Sequence, residues 1–328
     1  MRSRLEWRKA RVVEVRTIAE NVRAVTFAVD GLREGFDPGS HTNIRVQING
    51  EPAIRTYTVT PGPPGTLSIA VKLHPNSRGG SAFIWKLQPG DEAELTDPEN
   101  RFELSWRASR YLLIAGGIGI TPIYGMAKTL AARGQKLRLV YAAKNRHQMA
   151  FHDELTAMLD DRLQAFSQDD GEALDLDAEF AALPPDGEAY VCGPLGLLEA
   201  ARQAWQKSGR SMSRLRYEVF GDNGRFAEQA FDVEVPQLGT RVRVRADQSM
   251  LDVLVEAGVS MVFDCRRGEC GLCAVSIVEA DGTIDHRDVF FSDVERRENS
   301  RMCACVSRAC GGRIVIDTGY RPDLVALE

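Results

Sequence analysis

Between residues 11 and 96 the chain alternates apolar and polar positions in short runs, at 11–18, 22–29, 43–48, 66–73 and 93–96. Turn signals separate them: Asp37-Pro38-Gly39, Asn49-Gly50, Pro61-Gly62-Pro63-Pro64-Gly65 and Pro89-Gly90. A period of two puts successive side chains on opposite faces, so each run predicts a half-buried strand, and strands this short predict an antiparallel β-barrel over residues 1–105. From 106 to 220 the period changes. Residues 111–115 are a continuous apolar run, 123–131 carry a helical stripe (Ile123, Met126, Ala127, Leu130), and 137–142 are the next apolar run. A second repeat ends in 189–192, followed by a helix at 196–207 with Leu197, Leu198, Ala201 and Trp205 on one face. This alternation predicts an α/β domain with a doubly wound parallel sheet. Residues 221–230, with two glycines and mixed charge, read as a linker. Strands at 231–235 and 240–244, a helix at 250–257 and a cysteine-rich loop predict a small α+β domain over 231–328.

The 328 residues exceed one ordinary core and fit several domains. A hydrophobic share of 44% can fill those cores, and 27% charged residues supply a soluble surface. With a net charge of -5 there is no basic stripe for a phosphate backbone. Arg241, Arg243 and Arg245 read as a solvated strand face, so no nucleic-acid partner is expected. Residues 1–10 are charged and lack the apolar core of a signal peptide, and no run of about 18 apolar residues occurs, so no membrane association is expected either. An odd number of cysteines gathered at ligand spacing fits a reducing compartment. A cytoplasmic monomer is the expectation.

Six of the seven cysteines lie between Cys265 and Cys310, and Cys265, Cys270 and Cys273 are spaced C-x4-C-x2-C. With a fourth thiol after a long gap, at Cys303 or Cys305, this is the plant-type ferredoxin pattern, in which four thiolates hold the two irons of a 2Fe-2S cluster. Structural zinc, which more often uses two distant C-x2-C pairs, and inert buried thiols are the other readings. A surface loop at 293–300 could absorb either spacing to the fourth ligand.

Gly116-Gly117-Ile118-Gly119-Ile120-Thr121-Pro122 stands directly after one apolar run and before a helical stripe. There the glycines let the backbone approach a pyrophosphate, Thr121 can cap the helix, and Pro122 suits its first turn. A tight packing turn is the alternative. Cys192-Gly193-Pro194 ends a later strand of the same sheet, and because ligands bind at the carboxyl ends of such strands the two motifs can face one crevice. In the barrel, Arg55-Thr56-Tyr57-Thr58 is joined by Lys72 and by Arg78-Gly79-Gly80-Ser81, which leads into a helix at 82–87. A guanidinium and a Gly-Gly-Ser helix start suit a phosphate, an aromatic ring suits a flat heterocycle, and a hydroxyl can hydrogen-bond a ring nitrogen. His41, His74, His147, His152 and His286 show no metal-ligand spacing and read as surface or strand residues, and Cys310 reads as a free thiol.

Together these motifs resemble the phthalate dioxygenase reductase and vanillate demethylase reductase family over nearly the whole chain. The matching residues are Arg55-x-Tyr57-Thr58, Gly79-Gly80-Ser81, Gly116-Gly117-x-Gly119-x-Thr121-Pro122, Cys192-Gly193-Pro194, Glu218-x-Phe220, the three spaced cysteines and Cys305-Val306-Ser307-Arg308. The resemblance implies a flavin barrel, a nicotinamide domain and a C-terminal ferredoxin domain of β-grasp type. It implies FMN, with Arg55 and Ser81 on its phosphate, Tyr57 along the isoalloxazine, and Thr58 facing N5, where the family usually has Ser. Residues 73–79 form a short link that leaves no evident loop for an adenylate. NADH is implied as donor, with Phe220 packing where nicotinamide enters and Cys192 and Glu218 beside it. Lys144 and Arg146 follow the run at 137–142, near where a 2′-phosphate would lie. The context of Cys305 matches the family's last cluster ligand. A nicotinamide gives two electrons as a hydride and a 2Fe-2S cluster accepts one, so a flavin must stand between them. The implied activity is an NADH-dependent reductase serving a separate, Rieske-type non-haem iron terminal oxygenase. A non-catalytic electron-transfer subunit or a redox sensor is the alternative.

Overall fold

The alternating runs become a seven-stranded sheet in a computed structural model that describes residues 6–32, 35–48, 50–73, 79–100, 102–219, 226, 229–246, 248–266 and 268–321. Its strands lie side by side in the order Glu51–Thr60, Thr66–Lys72, Val22–Val29, Trp7–Ala19, Glu92–Thr96, Ser40–Ile48 and Glu99–Asn100. Glu51–Thr60 also pairs with Ser40–Ile48, which closes six of the strands into a barrel and leaves no open edge between them. The apolar half of each alternation points inward. Val25, Phe27, Ile44, Leu67, Ile69 and Leu95 are fully buried, and at about 1.5–3 kcal/mol for each large apolar side chain they are the main stabilisation of this layer.

The continuous apolar runs become a five-stranded sheet in the order Leu163–Ser167, Leu137–Ala143, Tyr111–Gly116, Glu188–Gly193 and Leu215–Val219. By sequence that order is third, second, first, fourth, fifth. The register of the first four strands is parallel throughout, and strands buried on both faces have no polar side to alternate with. The direction of winding reverses between Tyr111–Gly116 and Glu188–Gly193, which makes the crevice beyond their carboxyl ends the switch point. Helix Ile120–Ala132 starts at this crevice and packs against the barrel strand Glu51–Thr60.

By internal contacts the chain forms two compact units, Met1–Glu218 and Val219–Glu328. The first holds both the barrel and the parallel sheet. In the second, a mixed sheet runs in the order Thr240–Val244, Phe231–Val235, Arg313–Asp317, Ala274–Ala280 and Arg301–Cys303, with helix Met250–Glu256 packed on it. Most of the expected linker at 221–230 lies outside the described residues. Residues 293–300, expected as a loop, instead contain helix Asp293–Glu298. The Ser292 hydroxyl accepts from Glu295 N–H while the Glu295 carboxylate accepts from Ser292 N–H, a capping box that satisfies donors a helix start otherwise leaves open. Among the described residues no helix is long and apolar enough to cross a membrane.

Candidate functional site

The hairpin of Ser40–Ile48 and Glu51–Thr60 sets Ile48 opposite Glu51, and counting back along the ladder sets His41 opposite Thr58. Both side chains are buried. His41 Nε2 lies 3.3 Å from Thr58 Oγ1 and 2.6 Å from Glu218 Oε1 on the strand Leu215–Val219. One imidazole edge therefore joins the barrel strand to the last strand of the five-stranded sheet. A ring nitrogen that gives its proton to Glu218 has no lone pair left for Thr58, so the Thr58 hydroxyl is left as a donor toward a ligand on its other side. Nothing in the spacing of His41 pointed here. The Asn-Gly turn signal in the sequence at 49–50 could have, because such a signal predicts the register of a hairpin.

Along the same strand, Tyr57 is half-buried and packs on the barrel core. Burial pushes its phenol up to about 12, against the smaller pull of Arg55. Thr56 donates to Asn43 Oδ1 at 2.7 Å on the exposed face. The Arg55 side chain lies over the start of helix Gly80–Lys86: a Cβ built on Gly80 would stand 2.7 Å from Arg55 Nε. Ser81 follows on the same turn. The structure thus brings Arg55, Gly79, Gly80 and Ser81 to one place, a stem of guanidinium over bare backbone, which suits a phosphate. Lys72 is turned elsewhere, its Nζ 3.0 Å from Gln148 Oε1 beyond the strand Leu137–Ala143, and burial lowers its pKa.

At the switch point the glycine turn is pressed against Cys192. A Cβ on Gly119 would lie 2.2 Å from the Cys192 carbonyl oxygen, so only glycine fits there without moving backbone. Gly117 differs: its φ is 53° and nothing lies within 4 Å of a built Cβ, so its backbone is open on that side to an approaching ligand. Cys192 is fully buried, and Gly193 packs on Gly116 as Pro194 leads into helix Leu195–Lys207. Thr121 does not cap its helix. It sits at the second helical position, where its hydroxyl donates back to the Ile118 carbonyl at 3.1 Å, and Gly119 precedes the first turn with no side-chain cap. Phe220, His74 and Arg78 lie outside the described residues.

In the second unit the loop from Cys265 to Cys273 wraps its own sulfurs. Glu269 N–H and Cys270 N–H both point at Cys265 Sγ at 3.4 Å, and Gly268 N–H donates toward Cys305. Cys265, Cys273 and Cys305 are buried and Cys270 is half-buried. The thiols of Cys303 and Cys305 donate to the Cys273 sulfur, which holds Cys273 well below the usual thiol range and pushes both donors up. Backbone N–H groups aimed at sulfur and one readily formed thiolate fit a thiolate-bound cluster. Among the described residues no three His, Cys, Asp or Glu side chains converge on a single-ion site, and a binuclear cluster divides its thiolates between two irons. Cys310 is a free thiol, and His286 is placed 3.7 Å from buried Asp288.

Comparison with known proteins follows the same division. Three family models match: an oxidoreductase FAD-binding domain at residues 9–104, an oxidoreductase NAD-binding domain at 113–203, and a 2Fe-2S iron-sulfur cluster binding domain at 233–310. The vanillate O-demethylase oxidoreductase of Pseudomonas sp. (strain HR199 / DSM 7063) is 33% identical over 313 residues, covering 92% of this chain and 97% of its own. The heme-dependent oxidative N-demethylase beta subunit of Ectopseudomonas mendocina (strain ymp) is 34% identical over 311 residues, covering 94% and 97%. Among solved structures, phthalate dioxygenase reductase, described as a modular structure for electron transfer from pyridine nucleotides to 2Fe-2S, matches with a TM-score of 0.77 at 30% identity, covering 95% of this chain and 98% of that one.

Proposed function

Because this chain belongs to the family of oxygenase and demethylase reductases that join flavin-, NAD- and 2Fe-2S-binding domains, we propose that it oxidises NADH and hands single electrons to a separate terminal oxygenase. The flavin is read as FMN and the acceptor as a Rieske-type non-haem iron protein. The observation that carries the reading is the buried contact of Thr58, His41 and Glu218, which locks the flavin-side strand to the sheet whose switch point would hold the nicotinamide nucleotide.

When bound, a flavin accepts the two electrons of a hydride and releases them one at a time, the conversion that a one-electron cluster requires. The residues of the chain position and shield. Arg55 and Ser81 would hold the flavin phosphate, Tyr57 would lie along the ring, and Thr58, oriented by His41 and Glu218, would present its hydroxyl to the ring edge at N5. Gly117 and Gly119 would admit the pyrophosphate, with Thr121, Gly193 and Pro194 shaping the crevice. Cys192 and Phe220 would border the nicotinamide. Cys265, Cys270, Cys273 and Cys305 would ligate the cluster. No acid or base is needed for the hydride itself, so holding donor and acceptor in contact and excluding water are what these side chains contribute.

Anaerobic mixing of the purified protein with NADH tests this. The flavin absorbance should bleach first, and the electron paramagnetic resonance signal of a reduced 2Fe-2S cluster should follow with no partner present. A cluster that stays oxidised until another protein is added would favour a dependent electron-transfer subunit. Zinc in place of iron would remove the reading altogether. Reduction of a haem oxygenase in preference to a Rieske oxygenase would reassign the acceptor alone.

A further inference from the structure

The chain leaves the parallel sheet with strand Leu215–Val219 and opens the sheet of the second unit with strand Phe231–Val235. Two buried arginines of the second unit take hold of the backbone just before that entry. Arg308 Nη2 donates to the Gln229 carbonyl at 3.1 Å and to the Arg245 carbonyl at 2.8 Å, and Nη1 donates to the Gln248 carbonyl at 2.6 Å. The same guanidinium lies 5.1 Å over the ring of Phe231. Arg287 Nη2 reaches the Phe226 carbonyl at 3.4 Å while its Nε donates to buried Asp285 at 2.7 Å. A guanidinium is withdrawn from water only where its donors are matched, and its planar fork lets one side chain bind several carbonyls at once.

The two arginines also frame the cysteine loop. Asp285, the partner of Arg287, stands opposite Arg308 on a short antiparallel ladder. Val289 N–H donates to the Gly268 carbonyl at 2.9 Å, and a Cβ built on Gly268 would stand 2.7 Å from Val306 Cγ2 and 2.8 Å from Asp288 Cα. Arg287 is therefore next in sequence to a residue packed on the loop between Cys265 and Cys270, and Arg308 is two beyond another. One ladder grips both the entering backbone and the loop that carries the sulfurs.

We infer that Arg287 and Arg308 anchor the segment joining the two units to the frame of the cysteine loop, and that this anchoring governs how fast an electron passes from flavin to cluster. This rests on the proposed reading of the first unit as the flavin and nicotinamide unit and of the cysteines as cluster ligands. The transfer moves one electron from reduced flavin to oxidised cluster, with no bond made or broken. The length of a flexible tether sets the effective concentration of one module at the other. Held at Phe226 and Gln229, the tether ends before Phe231, and each residue released would add up to about 3.3–3.6 Å of reach. A longer tether dilutes the productive approach, whereas hydride transfer belongs to the first unit and does not depend on it.

Arg287→Lys, Arg308→Lys and the double variant test this in the full chain loaded with flavin and cluster. Lysine keeps the charge, and at 287 a partner for Asp285, but one ammonium cannot serve the carbonyls that the fork reaches. Iron content, visible absorbance, and the electron paramagnetic resonance spectrum and midpoint of the cluster should match wild type. On anaerobic mixing with NADH, flavin bleaching should keep its wild-type rate while cluster reduction slows severalfold, most in the double variant. Chymotrypsin reads the anchor without turnover: cleavage after Phe226, followed by mass spectrometry, should be faster in the variants. If a lysine variant loses its cluster, Arg308→Gln, and Arg287→Gln combined with Asp285→Asn so that no charged Asp285 is left unpaired, read the same rates. Wild-type cluster reduction, equal slowing of both steps, or unchanged cleavage after Phe226 overturns the inference. Loss of the cluster from every variant overturns it as well and makes the arginines supports of the cluster itself. Failure of the underlying reading shows separately, as a wild-type protein whose cluster NADH does not reduce.

Discussion

His41 on the barrel and Glu218 on the last strand of the parallel sheet are 2.6 Å apart, both withdrawn from solvent, with Thr58 at 3.3 Å from the same imidazole nitrogen. Removing the imidazole deletes a buried hydrogen bond to a carboxylate, a loss of about 1.5–3 kcal/mol. His41→Ala should lower the melting temperature and slow flavin bleaching by NADH by roughly tenfold, the equivalent of about 1.4 kcal/mol. Glu218→Gln, which keeps an acceptor, should have the smaller effect. Stopped-flow absorbance separates this from packing alone: electron transfer from pre-reduced flavin to the cluster should be unchanged, and equal slowing of both steps would assign His41 a structural role only.

Two glycines should behave differently when given a methyl group. In Gly80→Ala the new atom meets the movable end of Arg55 at 2.7 Å, so the fold should survive while flavin binding weakens by about tenfold, the 1.4 kcal/mol of one displaced guanidinium contact. In Gly119→Ala it meets the Cys192 carbonyl oxygen at 2.2 Å. Backbone cannot yield as a side chain can, and a destabilisation of about 1–3 kcal/mol is expected, with a raised KM for NADH. Flavin retention on gel filtration and thermal melts check both.

The preference for NADH should reside partly in Glu172. Arg146, which with Lys144 follows the strand Leu137–Ala143, is bound by Glu172 at 2.6 Å and faces Asp170 at 3.7 Å. A 2′-phosphate approaching it would meet two carboxylates. Glu172→Gln should raise kcat/KM for NADPH by about threefold to fivefold, under about 1 kcal/mol as befits an exposed pair, and leave NADH nearly unaffected. No change in the ratio of the two values would return Arg146 to the solvated surface.

Cys305→Ala should abolish the reduced-cluster signal while NADH still reduces the flavin at the wild-type rate, because the ligands lie in a unit that folds around its own core. A slower flavin step would mean that the cluster unit contributes to the hydride site.

Burial lifts the phenols of Tyr57, Tyr111, Tyr124, Tyr141 and Tyr190 above the ordinary tyrosine range. In the unfolded chain they ionise near pH 10, in the folded chain later, so between those values the unfolded state holds fewer protons and stability falls as pH rises. Below about pH 10 these groups change nothing. Phenolate absorbance should therefore rise together with loss of secondary structure on alkaline titration, and a rise that precedes unfolding would contradict the buried placement.

Local periodicity and residue type carried much of the architecture. The period-two runs at 22–29 and 231–235 are strands Val22–Val29 and Phe231–Val235 with those bounds, because the side a strand buries is written in alternate residues. The Gly116 turn and the C-x4-C-x2-C spacing were visible for the same reason: each chemistry needs its residues within one loop. Other relationships depend on segments meeting across the chain. The closing of the barrel rests on Glu51–Thr60 pairing with two neighbours, and the switch point rests on which strand lies beside Tyr111–Gly116. The cap expected at Thr121 failed because the helix begins after Gly119, two positions earlier, and the Thr121 hydroxyl reaches the carbonyl behind it instead of an N–H ahead. The helix Asp293–Glu298 had its signal, Ser292 with Glu295, but short helices depend on tertiary packing to form. His41 looked unremarkable because its partners are a residue across a hairpin and a carboxylate at the far end of the parallel sheet. Contacts of that kind are set by non-local burial, in which two polar groups share one desolvated site, and no period along the chain records them.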